Sequence, residues 1–153
     1  MTKKEELEQF AYDNDIAINN VYFQNENFEG LYIDSNVFIN EDINTYKYNI
    51  VLAHEMGHHE TLKGNALAKT EENALQELRA NGWAYKKILP IEKLIRYKLN
   101  NVDYEDILEE LCITPEDFFK IMEYYKDKYG YDNVKIDDYI VNFYPEFTVK
   151  IIY

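Results

Sequence analysis

The chain has one cysteine, Cys112, which excludes an intrachain disulfide and any cysteine-rich metal cluster. No stretch approaches the roughly 18 uninterrupted apolar residues of a membrane span. The opening MTKKEELEQF runs straight into acidic, helix-like sequence without an apolar signal core, so a cytoplasmic location is expected. Basic residues are scarce: 16 Lys and Arg against 29 Asp and Glu leave a net charge of -13 over 153 residues. Such a surface repels phosphate, which argues against nucleic acid or anionic membrane as a partner and favours a basic protein or a metal cation. Gly/Ser linkers, internal repeats and low-complexity runs are also missing. One domain over 1–153 is therefore expected, with its core in 16–90 and a helical extension over 91–153. Tyrosine, by contrast, is abundant at 15 residues, read as core and half-buried sheet positions.

The hydrophobic spacing predicts a small α+β architecture, an N-terminal antiparallel sheet or hairpin followed by helices. Leu7, Phe10 and Ala11 mark a short helix over 3–13, and residues 16–23 look extended. The segment GLYIDSNVFIN predicts a hairpin. A three-residue loop of Asp34, Ser35 and Asn36 would pair Ile33 with Val37 and Leu31 with Ile39, all on one face. A helix over 44–62 follows, stopped near Gly64, and a second starts after Thr70 and ends at Leu89, before Pro90. Further helices are expected over 91–99 and, in two pieces, over 103–130, the last opened by Thr114-Pro115 and closed by Gly130. The terminal FTVKIIY alternates as a half-buried strand that would join the N-terminal sheet. The helices of 101–130 carry nine acids and three lysines, a net of -6, and so read as packing helices, not a DNA-binding pair.

Chemistry concentrates in AHEMGHH, residues 53–59, which contains His54, Glu55 and His58 as His-Glu-x-x-His. Residues four apart share one helix face, so two imidazoles can reach one zinc ion at about 2 Å. Glu55 sits about 100° round the helix from His54, close enough to reach a water on the metal without being a ligand, as a general base requires. A catalytic zinc site wants a third protein ligand and one open position. Glu77 in QELRANGWA, 19 residues after His58, leaves room for a return of the chain. Glu60 faces away from His58, and Glu71 and Glu72 are better explained by a helix start. Asn81, one turn after Glu77, is placed to orient a ligand. Ala53, Gly57, Ala80 and Ala84 let two helix backbones approach closely. His59 points elsewhere. The structural alternative makes His54 and His58 ordinary half-buried residues and Glu55 a solvated charge.

The combination of GLYIDSNVFIN, VLAHEMGHHET, ELRANGWA and ILP resembles the ImmA/IrrE family of small metallopeptidases, most clearly over 30–90. The resemblance implies a zincin-like fold of the gluzincin kind, with His54, His58 and Glu77 holding one Zn2+ and Glu55 as catalytic base. It also implies a cytoplasmic proteolytic switch of phages and mobile elements that cleaves a helix-turn-helix repressor. Val37, Phe38 and Ile39, if they lie on a sheet edge, would offer backbone to an extended substrate. A non-catalytic binding protein that sequesters its partner is the rival reading, and a closed structural metal site a third. Intact Glu55 favours the enzyme.

Overall fold

The first element is closed at its start by a reciprocal cap: the Glu5 amide donates to the Thr2 hydroxyl at 3.1 Å and the Thr2 amide to the Glu5 carboxylate at 2.7 Å. Helix α1 (Lys3–Asp13) follows in the computed structural model, which describes residues 1–24 and 27–153. Next come β1 (Ala17–Val21), β2 (Gly30–Ile33) and β3 (Asn36–Asn40), then helices α2 (Thr45–Leu62), α3 (Ala66–Lys69), α4 (Asn73–Ile88), α5 (Ile91–Leu99), α6 (Tyr104–Leu111) and α7 (Pro115–Tyr129). Strands β4 (Val134–Ile136), β5 (Tyr139–Asn142) and β6 (Thr148–Ile151) complete the chain. The α+β class with strands ahead of the helices is as expected.

Three expectations about the strands need correction. The first sheet is mixed, in the order β1-β3-β2, with β3 parallel to β1 and antiparallel to β2. Its hairpin turns on two residues, not three: Asp34 and Ser35 have φ of 48° and 64°, so both occupy the left-handed region of a tight primed turn. The register moves by one, pairing Ile33 with Asn36, Tyr32 with Val37 and Gly30 with Ile39. A shift of one residue exchanges the faces. Val37 and Ile39 are fully buried, whereas Ile33 is half exposed and Tyr32 takes the position facing the helices. The terminal strand β6 pairs with β5 in a second, antiparallel sheet β4-β5-β6 and does not reach the first, so the section after residue 90 is not wholly helical.

The helical expectations hold with one adjustment. Thr70 does not cap α4; its hydroxyl donates to the Leu67 carbonyl at 2.8 Å and finishes α3, so α4 starts three residues later, at Asn73. Thr114 caps α7 by accepting from the Asp117 amide, and Gly130, with φ 70°, ends it. One hydrophobic cluster runs from Leu7 through Val37, Ile39, Met56 and Ile88 to Tyr125 and Phe143. Helices α2 and α4 make its tightest contact. A Cβ on Gly57 would lie 2.5 Å from the Ala80 carbonyl oxygen, so only glycine permits this crossing. At the other end of α2, Lys47 Nζ reaches the buried Asp117 carboxylate at 2.7 Å and ties α7 to the same helix. Among the described residues no helix is long and apolar enough to cross a membrane.

Candidate metal centre

The crossing of α2 over α4 decides what the site can be. Residues 54 and 58 lie one turn apart on the face of α2 that looks towards α4, and residues 77 and 81 lie one turn apart on the face of α4 that looks back. His54 Nε2 is 2.8 Å from Glu77 Oε2, His58 Nε2 is 2.9 Å from Glu77 Oε1, and the two imidazole Nε2 atoms are 3.2 Å apart. One donor atom from each of the three residues falls within 4.8 Å of the others. A tetrahedral ion with ligand bonds near 2.0–2.1 Å needs donors about 3.3 Å apart, so small movements would admit it. Two nitrogens and one carboxylate oxygen are also the donor chemistry that suits zinc and leave a fourth position open.

Asn81 lies behind the first histidine, with its Oδ1 2.7 Å from His54 Nδ1. In that orientation Nδ1 donates to the amide oxygen, which leaves the Nε2 lone pair directed at the other donors. Burial lowers the pKa of His58, an effect the neighbouring imidazole of His54 reinforces and Glu77 opposes. Burial and the His54 imidazole thus favour neutral imidazole, the form that ligates a metal.

Glu55 is buried beside this cluster without belonging to it. Removal from water pushes its carboxyl up to about 7; the imidazole of His54 works against the rise and the carboxylate of Glu77 adds to it. The burial has a specific cause in the sheet. Gly30 opens β2 directly over the carboxylate, and a Cβ there would stand 2.7 Å from Val51 Cγ1 and 3.3 Å from Glu55 Oε1. Nothing in the alternation of GLYI marked this glycine, because the pattern describes side chains and the requirement comes from a helix 25 residues later.

The structure thus brings His54, His58, Glu77, Glu55 and Asn81 together, whereas Val37, Phe38 and Ile39 lie apart from them. Strand β3 is central, with both edges paired, and the side chains of Val37 and Ile39 are sealed in the core. The outer edge of β2 has no strand partner among the described residues, and β2 contributes Gly30, Leu31 and Tyr32 to a cleft that also holds His54, Glu55, His58 and Glu77. His59 turns away from the donors and meets the Tyr32 hydroxyl through Nδ1 at 2.8 Å, joining β2 to α2; that hydroxyl accepts from the Ser35 amide at 3.2 Å. A second cleft, of about 480 Å³, shares Phe28, Gly30, His54 and Glu55 with the first and is walled by Ile50, Ala84 and Tyr85 and by Asp117 and Lys120 of α7. This use of α7 was not legible in the sequence, since the contact joins segments about 70 residues apart. A larger hollow of about 860 Å³ beside Lys3, Tyr48 and Glu109 contains none of the candidate ligands.

No curated protein matches the chain at a significant level. The family model Peptidase_M78, described as the IrrE N-terminal-like domain, matches residues 11–136. That span covers most of the sequence and includes every member of the histidine and carboxylate cluster. The chain belongs to the Peptidase_M78 family of IrrE N-terminal-like domains, a metallopeptidase family.

Proposed function

We propose that the protein is a zinc-dependent endopeptidase of the cytoplasm that cleaves a protein substrate, with a helix-turn-helix repressor of a phage or mobile element as its target. The observation that carries this reading is the division of labour at the site. His54, His58 and Glu77 converge as three donors, while a second carboxyl group, that of Glu55, is buried next to them and left out of the donor set. Zinc bound to the three donors would supply Lewis-acid activation of a water and of the scissile carbonyl. Glu55 takes the proton that the attacking water loses and returns it to the departing amine, so the hydrolysis balances with one water consumed. Asn81 keeps His54 in the tautomer that ligates. The outer edge of β2, beside the donors, offers main-chain hydrogen bonds to an extended substrate, the role first expected of β3.

A protein that only sequestered a repressor would need the fold and the metal but not Glu55, and a closed structural site would need a fourth ligand. Glu55→Gln tests the distinction. Zinc content should match the wild type, measured by elemental analysis, while cleavage of a repressor co-expressed from the same genetic neighbourhood is lost. A variant that still cleaves as fast as the wild type would show that Glu55 is not the base. Wild-type protein that depletes the repressor's activity without cutting it would establish the sequestering function instead.

A further inference from the structure

Helix α4 presents two adjacent stripes. One, Glu77 and Asn81, faces the histidines. The other, Leu78, Gly82 and Tyr85, faces α7 and forms the floor of a groove of about 580 Å³ completed by Phe119 and Tyr124. Leu78 is 68% exposed and Phe119 62% exposed, so two large apolar side chains of this lining stand open to water. Gly82 keeps the floor low, for a Cβ there would come within 3.2 Å of the Tyr124 ring. The rim carries Lys120 and Lys128 against Glu123 and Asp127, two charges of each sign, so the groove cannot select its occupant by net charge. Asn81, Tyr85 and Lys120 line both this groove and the second cleft beside His54 and Glu55, so the two adjoin.

We infer that the groove between α4 and α7 is a binding site for the substrate polypeptide, taking a large aliphatic or aromatic side chain some distance along the chain from the bond that is cut. The inference rests on the peptidase reading. The shared wall identifies the occupant: a polypeptide lying over Glu55 reaches the groove beside it. The section after residue 90 thereby gains a role, with α7 supplying half of a specificity surface that α4 alone could not form.

The test uses the full zinc-loaded chain carrying Glu55→Gln to select from displayed random 12-residue peptides. Recovered peptides should share a large apolar residue, and replacing it by serine should weaken binding about tenfold or more, as for an anchor side chain. Phe119→Asp and Leu78→Gln should each weaken the same peptides by about tenfold, whereas Tyr12→Asp, at an exposed tyrosine of α1, should leave them unchanged. Unaltered zinc affinity and circular dichroism establish that the groove variants are folded, and the two variants lie on different helices so that either suffices. The proposal is overturned if no peptide is recovered, if recovered peptides lack an apolar residue, or if they bind both groove variants as tightly as the parent. It is also overturned if wild-type protein sediments as a dimer that Phe119→Asp splits, since the groove would then belong to a second copy. Incubating the recovered peptides with wild-type enzyme separates this inference from the one beneath it. Groove-dependent binding without cleavage would sustain the groove and refute the peptidase, and cleavage indifferent to both substitutions would do the reverse.

Discussion

Replacing Gly57 by alanine tests whether the α2–α4 crossing builds the metal centre. The added methyl would stand 2.5 Å from the Ala80 carbonyl oxygen and 3.0 Å from its Cα, both backbone atoms that cannot rotate away. Restoring ordinary contact at 3.4 Å requires the helices to part by about 0.9 Å. Two opposing effects act on stability. Alanine favours the helix by about 1 kcal/mol over glycine, while overpacking costs about 1–3 kcal/mol, so the net loss is at most about 2 kcal/mol. For a chain this long each kcal/mol lowers Tm by only about 2–4 °C. Metal binding is far more sensitive. Glu77 lies three residues before Ala80 and Asn81 one after, so both travel with the displaced backbone, whereas ligand distances tolerate only about 0.2 Å. Zinc affinity should fall by at least about tenfold to a hundredfold, a loss of the size seen when ligand geometry is disturbed. Competition against a chromophoric chelator measures this, with thermal melts of the metal-free protein alongside. Gly64→Ala is the control: it sits at φ 66° with nothing within 4 Å, so it should lower stability by about 1 kcal/mol and leave zinc binding intact. Gly57→Ala protein with wild-type zinc affinity and a raised Tm would refute the argument, since the propensity gain would then be acting without a clash.

Four further outcomes follow from the same geometry. Glu77→Ala should abolish stoichiometric zinc at micromolar free metal while the circular dichroism stays native, because the side chain is half exposed and carries no core packing. Asn81→Ala should reduce zinc affinity about 10- to 100-fold through loss of the hydrogen bond that fixes His54, and Asn81→Asp should restore part of it; titration of both variants decides. Gly30→Ala should keep zinc but cut the cleavage rate, since its methyl displaces Glu55 and not the imidazoles; loss of zinc in this variant would contradict the placement. Lys47→Met leaves Asp117 buried without its cation and should destabilise the fold by about 1–3 kcal/mol in urea denaturation, the partial exposure of Lys47 keeping the effect below that of a fully buried pair.

What could be seen in the sequence was what is local. His54 and His58 are joined by the helical repeat, and α1, α2 and α7 carry their start or stop signals within a few residues of their ends. Glu77 and Asn81 were found because the same repeat stacks them, although the pairing of the two helices had to be argued from small residues. What failed was what depends on distant partners or on a single backbone angle. The hairpin register differs from the expected one because Asp34-Ser35 lacks the Asn-Gly signature of a two-residue primed turn, and the sequence alone points to a three-residue loop. The position of β3 depends on a parallel neighbour, β1, whose short strand says nothing about which side it will join. FTVKIIY was seen as a strand but given the wrong sheet, because β4 is three residues long and carries little pattern of its own.

The three donors of the metal centre are unequally sheltered. The side chains of His54 and His58 retain 20% and 13% of their accessible surface, whereas that of Glu77 retains 54%. An ion held by them would therefore be reached from one side. A competing chelator would meet the carboxylate first, and detaching that single arm would open the cavity while the imidazole pair stayed anchored in α2. The rate of zinc exchange should accordingly track substitutions at the mouth near residue 77 far more than changes in the buried floor beneath the histidines.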